Sequence, residues 1–253
     1  MLGYIQEPYF PPGEGWRYSN TNYLLLAMII EKATGSTLSA ELHHCFWDPL
    51  GIDDAYLAIQ DEVPDHRAHV WGDNFENDGS DRDVTFEPRA AHDSIAFGSG
   101  DLVTTPRSLA RWCDALFRGE VLQPGSMDQM LDFVEQGFGF RKTGYGLGVM
   151  LRRKRYAFGE RGVGHGGGNI GSVTSMVHLP EHRISFVVMV NRFDAACCRT
   201  ATRGLIKTVL KDAGALGPIP YFDGWPLVIL AAFVFVAVNL IRLLRRRRRV
   251  KPS

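Results

Sequence analysis

The sequence predicts an α+β fold: a helical subdomain, then an antiparallel sheet flanked by helices, then one apolar segment near the C-terminus. Helix-like apolar patterns with recognisable caps fill much of the first 135 residues, whereas β-rich runs joined by a short turn follow them. Because helices and strands are segregated along the chain and do not alternate, the pattern favours α+β over a doubly wound sheet.

The first predicted helix covers residues 22–34, where NYLLLAMIIEKAT is apolar enough to be buried. Asn20 or Thr21 is expected to be its N-cap, because a side-chain oxygen there can accept an N–H of the first turn. Gly35 is expected to end the helix, since glycine readily adopts the left-handed conformation of a C-cap.

Three further helices are predicted before the strands. Ser36 caps the second, which ends before Pro49. Thr105 caps the third, with Pro106 at its first position, where the missing N–H costs nothing. Residues 124–135 are expected to form the fourth.

Strands dominate the second half, after a long polar and acidic excursion over residues 59–93. Two β-rich runs separated by four residues predict a hairpin. The predicted strands are 145–151, 172–179 and 184–191, with the turn at 180–183. A helix over 195–213 then closes a domain that we expect to span residues 1–213, and a Gly/Pro-rich linker occupies 214–224.

An apolar segment at 225–244 is predicted to cross a membrane. Residues 225–241 carry no charged side chain, and a helix of about 20 residues spans about 30 Å, the thickness of the hydrocarbon core. A soluble helix would show a polar face, which this segment lacks. The alternative is a buried C-terminal helix followed by a disordered basic tail.

A basic tail follows at 245–253. Residues 225–253 hold seven of the 28 basic residues and no acid, so residues 1–224 carry 21 basic and 28 acidic groups, a net charge of −7. An acidic body argues against binding nucleic acid. Basic flanks mark the cytoplasmic end of a membrane helix, so we expect the domain outside the cytoplasm. The arginines that could also bind anionic lipid head groups are Arg245, Arg246, Arg247, Arg248 and Arg249.

Cysteines and acidic side chains predict no metal site. Cys45, Cys113, Cys197 and Cys198 lack zinc spacing, and buried free thiols are favoured over a disulfide. Acidic residues and histidines between positions 61 and 73 are better explained by a solvated loop than by a metal site. Residues 74–85 resemble a calcium loop, but Thr85 stands where the glutamate ligand belongs. We expect no cofactor.

Two short motifs are the candidates for chemistry: Tyr18-Ser19-Asn20 and His165-Gly166-Gly167-Gly168. Each is weak alone, but each lies inside a longer segment, PPGEGWRYSNTNYLLLAMIIEKATG and GHGGGNIGSVTSMVHLPEHRISFVVMVN. With DPLGIDDAYLA and FGSGDLVTTPRSLARWCDAL between them, these segments resemble, in order, the class C β-lactamase and DD-peptidase-like family of penicillin-recognising serine hydrolases. The resemblance covers about residues 8–213.

This resemblance implies a β-lactamase/transpeptidase-like fold and acyl transfer through an acyl-serine. Tyr18 would shuttle protons, and Asn20 would hold a lysine and orient the substrate carbonyl. His165 would stand where many members have the lysine of K-T-G, donating to the tyrosine or to a substrate carboxylate. Gly166 to Gly168 would form an edge for the substrate backbone, with the N–H of Gly168 as an oxyanion donor.

The family's nucleophile motif, S-x-x-K, is missing, because no serine has a lysine three positions later. Residues 1–5 also lack the basic and apolar parts of an export signal. From both observations we expect this chain to be the C-terminal part of a longer protein. A fragment without some of its strands would expose a sheet edge, so we also expect residues 1–220 to be poorly soluble alone.

Ordinary structural explanations compete with these roles. Tyr18 could be an amphipathic tyrosine beside a helix start with Asn20 as the cap, and His165 could be a strand-end histidine in a glycine turn. Ser19 is expected to face away from the site. Ser99 is not expected to be a nucleophile, because a phenylalanine occupies the first position of its G-x-S-x-G frame.

Two functions follow. The first is a membrane-tethered serine hydrolase acting outside the cytoplasm on a cell-wall peptide, a β-lactam or a small ester; this chain alone would be inactive unless an upstream segment supplies serine and lysine. The second is a non-catalytic, membrane-anchored module that binds a peptide along the glycine-lined strand.

Overall fold

The computed structural model describes residues 7–72, 81–87, 93–94, 96–138, 141–152 and 157–216. Its first helix is α1, Asn20–Thr34. Ser19 is the N-cap, because its extended backbone lets its hydroxyl accept the N–H of Thr21 at 3.2 Å. The prediction of Asn20 or Thr21 as the cap is therefore wrong. Gly35 ends the helix in the left-handed conformation, as predicted (φ 72°).

The second helical run has three parts: α2 Leu38–Leu42, a π-helical turn His43–Trp47 and α3 Asp48–Leu50. Thr37 caps this run, and not Ser36 as predicted, because the Thr37 hydroxyl accepts an N–H of the first turn at 3.2 Å. The predicted end before Pro49 is also wrong. Proline is tolerated in the first turn of a helix, and Pro49 takes such a position in α3 before Gly51 ends the run.

Helix α4, Pro106–Phe117, begins as predicted, with the Thr105 hydroxyl accepting the N–H of Ser108 at 3.2 Å. Helix α5, Pro124–Met130, stops short of the predicted end at residue 135, because the chain turns there into a strand. One apolar cluster joins α1, α2 and α4, with Ala27, Leu38 and Ala115 among its buried members.

Six antiparallel strands form the main sheet among the described residues: β5 Val134–Phe138, β6 Arg141–Tyr145, β7 Met150–Arg152, β8 Gly162–Asn169, β9 Ser172–Leu179 and β10 Ile184–Val190. Their spatial order is β10-β9-β8-β7-β6-β5. The predicted hairpin is confirmed as β9–β10, with Leu179 paired to Ile184. The single strand predicted over 145–151 is wrong, because the chain reverses between Tyr145 and Met150 and places them opposite each other in β6 and β7.

Helices flank this sheet, as the α+β prediction requires. Helix α4 and the closing helix α6, Ala195–Asp212, both pack against β9 and β10. Four short strands pair outside the main sheet: β1 Tyr56–Leu57 with β4 Leu102–Val103, and β2 Trp71–Gly72 with β3 Arg82–Asp83. The second pair lies within the predicted 59–93 excursion.

The four cysteines are free thiols. Cys113 and Cys198 are buried, whereas Cys45 and Cys197 are exposed. Burial raises the pKa of the Cys113 thiol to about 12, so this group stays protonated and behaves as a small apolar core residue.

The predicted membrane segment at 225–244 and the basic tail at 245–253 lie outside the described residues, as does most of the predicted linker at 214–224. Among the helices that the structure describes, none combines the length and the apolar character that a membrane crossing requires. The compact domain ends at Asp212.

Candidate active site

The two predicted motifs come together at one place in the fold. Tyr18 stands just before α1 and is half-buried, and His165 lies in the middle of β8. Their ring centroids are 6.0 Å apart, with the planes tilted by 31°. The fold thus brings together a motif that precedes a helix and a motif that lies in a strand.

The other polar residues that the sequence singled out differ in their surroundings. Asn20 is the first residue of α1, two positions after Tyr18, and is exposed. The Ser19 hydroxyl caps α1 by accepting the N–H of Thr21. Ser99 donates its hydroxyl hydrogen to the carbonyl of Ala96 at 2.9 Å, within the turn of which it is part.

The glycines of β8 line a partly open strand. Strand β9 pairs with β8 along its length, from Val163 to Asn169, whereas β7 pairs only with Gly162 to Gly164. Among the described strands, none pairs with the other edge of Gly166 to Gly168. A Cβ added at Gly167 would meet no atom within 4 Å, so the strand leaves room there for a ligand.

Two tyrosines that the sequence analysis did not single out complete the site. The Tyr23 hydroxyl of α1 lies 2.5 Å from the Tyr145 hydroxyl of β6, and the Tyr145 hydroxyl lies 3.1 Å from Nε2 of His165. The ring of Trp16 packs against that of Tyr145, with centroids 5.2 Å apart. A tyrosine inside an apolar helix needs a partner for its hydroxyl, and that need is the signal that could have pointed to Tyr23.

Burial keeps the groups of this site neutral. Burial lowers the pKa of His165, and the nearby Arg152 guanidinium lowers it further, against the opposing effect of the Gly166 carbonyl. Burial raises the pKa of Tyr18, with the neighbouring Tyr23 adding to the effect. Burial also raises the pKa of Tyr145, which is 7% exposed. The arrangement therefore offers neutral donors and acceptors, and a phenolate would need a cation beside it.

The histidines and acidic residues between positions 61 and 73, for which a solvated loop was favoured over a metal site, lie apart from Tyr18 and His165 in the sequence. His69 pairs with Asp83, and hydrogen bonds from Thr85 and His69 hold the pKa of Asp83 at about 2. Within the described residues, no group of three or more His, Cys, Asp or Glu side chains is arranged to hold a metal ion.

Comparison with curated proteins finds relatives named as a penicillin-binding protein and a D-aminopeptidase. The chain is 28% identical over 200 residues to penicillin-binding protein 4* of Bacillus subtilis, a match covering 73% of this chain and 41% of the relative. It is 25% identical over 230 residues to a D-aminopeptidase of Cereibacter sphaeroides, covering 89% and 40%. The chain thus spans about two-fifths of the length of these relatives.

Solved structures share the fold. A D-stereospecific amidohydrolase from Streptomyces sp. matches with a TM-score of 0.65 and 27% identity, over 75% of this chain and 55% of that one. The D-amino acid amidase of Ochrobactrum anthropi SV3, solved with L-phenylalanine amide, matches with a TM-score of 0.67 and 25% identity, over 80% and 59%. These neighbours place the described domain in the penicillin-binding and β-lactamase fold.

A family profile decides the assignment. The profile described as Beta-lactamase matches residues 5–210, which is most of the chain and includes both motifs. The resemblance inferred from the sequence is therefore confirmed at the level of the family. The chain belongs to the Beta-lactamase family, a family of serine hydrolases related to penicillin-binding proteins and D-aminopeptidases.

Proposed function

We propose that this chain is the tyrosine- and glycine-bearing part of a serine hydrolase that cleaves an amide or ester through an acyl-serine intermediate. The observation that carries the proposal is the approach of Tyr18 to His165, 6.0 Å between ring centroids, beside the open edge of Gly166 to Gly168. The nucleophile would come from an S-x-x-K motif that these 253 residues do not contain.

In the proposed reaction the serine oxygen attacks the substrate carbonyl and its proton passes to the base formed by the lysine and Tyr18. Asn20 orients the carbonyl, and the N–H of Gly168 donates to the developing oxyanion. The C–N or C–O bond then breaks, and the leaving group takes the proton. Water hydrolyses the acyl-serine by the same steps in reverse order.

The substrate class follows from the relatives and from the shape of β8. Relatives bear the names penicillin-binding protein, D-aminopeptidase and D-amino acid amidase. A strand with one unpaired edge suits an extended backbone, because its N–H and C=O groups can pair with a peptide. We therefore propose a short peptide or an amino-acid amide first, and a β-lactam or small ester second.

Covalent labelling tests this proposal. A fluorescent penicillin or fluorophosphonate should leave the 253-residue chain unlabelled, because the chain lacks the serine. A form extended at its N-terminus to include S-x-x-K should be labelled, and serine-to-alanine substitution there should abolish the signal. Labelling of the 253-residue chain itself, whether or not Ser99→Ala abolishes it, would contradict the assignment of the nucleophile.

We also propose that residues 225–244 anchor the domain to a membrane with the C-terminus in the cytoplasm. The uncharged residues 225–241 and the arginine run at 245–249 support this topology. Membrane fractions should retain the chain after alkaline carbonate washing, and a variant ending at residue 224 should not be retained. Protease added outside intact cells should digest the domain; protection of the domain would reverse the orientation.

A second candidate is a non-catalytic module that holds a peptide along β8. The open edge at Gly166 to Gly168 and the lack of any S-x-x-K serine favour it. Reversible peptide binding by an extended form that takes no covalent label would support this function. Covalent labelling of that form, lost on serine-to-alanine substitution, would rule it out.

A further inference from the structure

Three hydrogen bonds run in series through the site and join its helical part to its sheet. The Tyr23 and Tyr145 hydroxyls are 2.5 Å apart, the Tyr145 hydroxyl is 3.1 Å from Nε2 of His165, and Nδ1 of His165 is 2.6 Å from the carbonyl oxygen of Gly166. The members belong to α1, β6 and β8.

The last acceptor gives the series a direction. A carbonyl oxygen can only accept, so Nδ1 of His165 carries the hydrogen that bonds Gly166. In a neutral imidazole Nε2 then has a free lone pair, and the Tyr145 hydroxyl donates to it. The oxygen of Tyr145 is left to accept the hydroxyl hydrogen of Tyr23.

The surroundings hold this direction. Burial and the Arg152 guanidinium disfavour a positively charged His165 by lowering its pKa. Burial of Tyr145 raises its pKa, so its hydroxyl keeps the hydrogen that it donates. The packed ring of Trp16 restricts Tyr145 further.

We propose that Tyr145, supported by Tyr23, is a positioning residue that fixes His165 as the Nδ1–H tautomer and withdraws Nε2 from the substrate. His165 then lies with its ring centroid 6.0 Å from that of Tyr18 and does not act as a donor to a substrate carboxylate, a role that the K-T-G comparison implied. The effect of this tautomer on substrate binding rests on the proposed function. The tautomer itself does not, because it is set by contacts within the chain.

Nitrogen-15 NMR of histidine side chains in the 253-residue chain, held in detergent micelles, tests the tautomer directly. His165→Gln assigns the His165 signals. In the wild type we expect a protonated Nδ1 and an unprotonated, hydrogen-bonded Nε2 near neutral pH. Tyr145→Phe should shift the Nε2 resonance and mix the two tautomers.

Two further variants make the result specific. Tyr23→Phe removes the second donor without touching His165, and it should move the Nε2 resonance in the same direction by a smaller amount. Tyr56→Phe removes a hydroxyl in β1 that donates to the Asp53 carbonyl, away from the series, and should leave His165 unchanged. If Tyr145→Phe does not fold, Tyr23→Phe still decides the question.

An Nε2–H tautomer in the wild type, or an unchanged Nε2 resonance in both Tyr145→Phe and Tyr23→Phe, would overturn the proposal. These readouts need no turnover, so the proposal can stand even if the labelling experiments exclude a hydrolase. Conversely, an extended form that hydrolyses its substrate while the Nε2 resonance is unchanged in both Tyr145→Phe and Tyr23→Phe would exclude the positioning role. That result would leave the proposed function intact.

Discussion

Tyr18 and His165 lie with their rings 6.0 Å apart, although one precedes the first helix and the other lies in the third strand from the sheet's β10 edge. This approach joins the helical and the sheet parts of the domain beside the glycines of β8. Because both rings are partly or largely buried, their ionisation states are set by this packing and can be tested in the chain as it stands.

Tyr18 should titrate above its ordinary pKa of 10.0, because burial and the neighbouring Tyr23 both raise it. Ultraviolet difference titration of the wild type and of Tyr18→Phe isolates the transition of this phenol. A transition below pH 10 in the 253-residue chain would contradict the prediction. In an extended form that contributes the lysine of S-x-x-K, the transition should move down, because a cation stabilises the phenolate.

Domain stability should fall as the pH drops below about 6.5. The folded-state pKa of His165 lies below its ordinary 6.5, so the unfolded chain binds more protons in this range. The contribution is fully present above pH 6.5 and is lost as the pH falls through the folded-state pKa. Urea unfolding between pH 5 and 8 measures it, and His165→Gln should flatten the profile. His178, whose pKa burial also lowers, contributes a remaining slope of the same sign. Asp101, whose pKa burial raises, contributes a slope of the opposite sign.

Two glycines of β8 should differ in how much stability they lose on substitution by alanine. Gly164 has φ 152°, and a Cβ there would stand 2.1 Å from the Met176 carbonyl oxygen, so Gly164→Ala should cost about 3 kcal/mol or more. Gly167→Ala meets no atom and should stay within about 0.5 kcal/mol of the wild type. Urea unfolding compares them. Gly167→Ala should nevertheless weaken peptide binding along β8. Binding equal to that of the wild type would argue against a peptide site at this strand.

Ser19→Ala should destabilise the domain by about 1 kcal/mol, because it removes the N-cap of α1. Asn20→Ala, one position later, should cost less than about 0.5 kcal/mol, since its side chain is exposed and does not cap the helix. Chemical denaturation of the two variants measures the difference. A larger loss for Asn20→Ala would restore Asn20 as the cap.

One face of α1 is exposed and apolar, which favours aggregation of residues 1–220 expressed alone. Leu26 and Ile29 are 53% and 61% exposed, and large exposed apolar patches promote association. Replacing both with glutamine should raise the monomeric yield without lowering the unfolding free energy. Leu24→Gln, at a buried position of the same helix, should destabilise by about 2 kcal/mol. A monodisperse, cooperatively unfolding wild-type 1–220 domain would show that this face needs no cover.

Local patterns predicted the elements whose determinants lie within a few residues. Thr105 caps α4 and Gly35 ends α1 because the cap and its partners are neighbours in the chain. The β9–β10 hairpin was predictable for the same reason. Strand β5 was not, because its residues VEQGF lack an alternating pattern and become a strand only by pairing with β6.

The segments around Tyr18 and His165, with the two segments between them, were enough to indicate the family and to propose residues for the site. Packing alone decided how those residues are held. Tyr23 and Tyr145 are 122 positions apart, and their hydroxyls meet because α1 packs beside the sheet. Whether His165 is a donor or an acceptor likewise depends on the Gly166 carbonyl, Tyr145 and Arg152 around it. The residue type determines which chemistry is available. The protonation state of the side chain, and whether it donates or accepts a hydrogen bond, are set by neighbours that only the folded chain brings together.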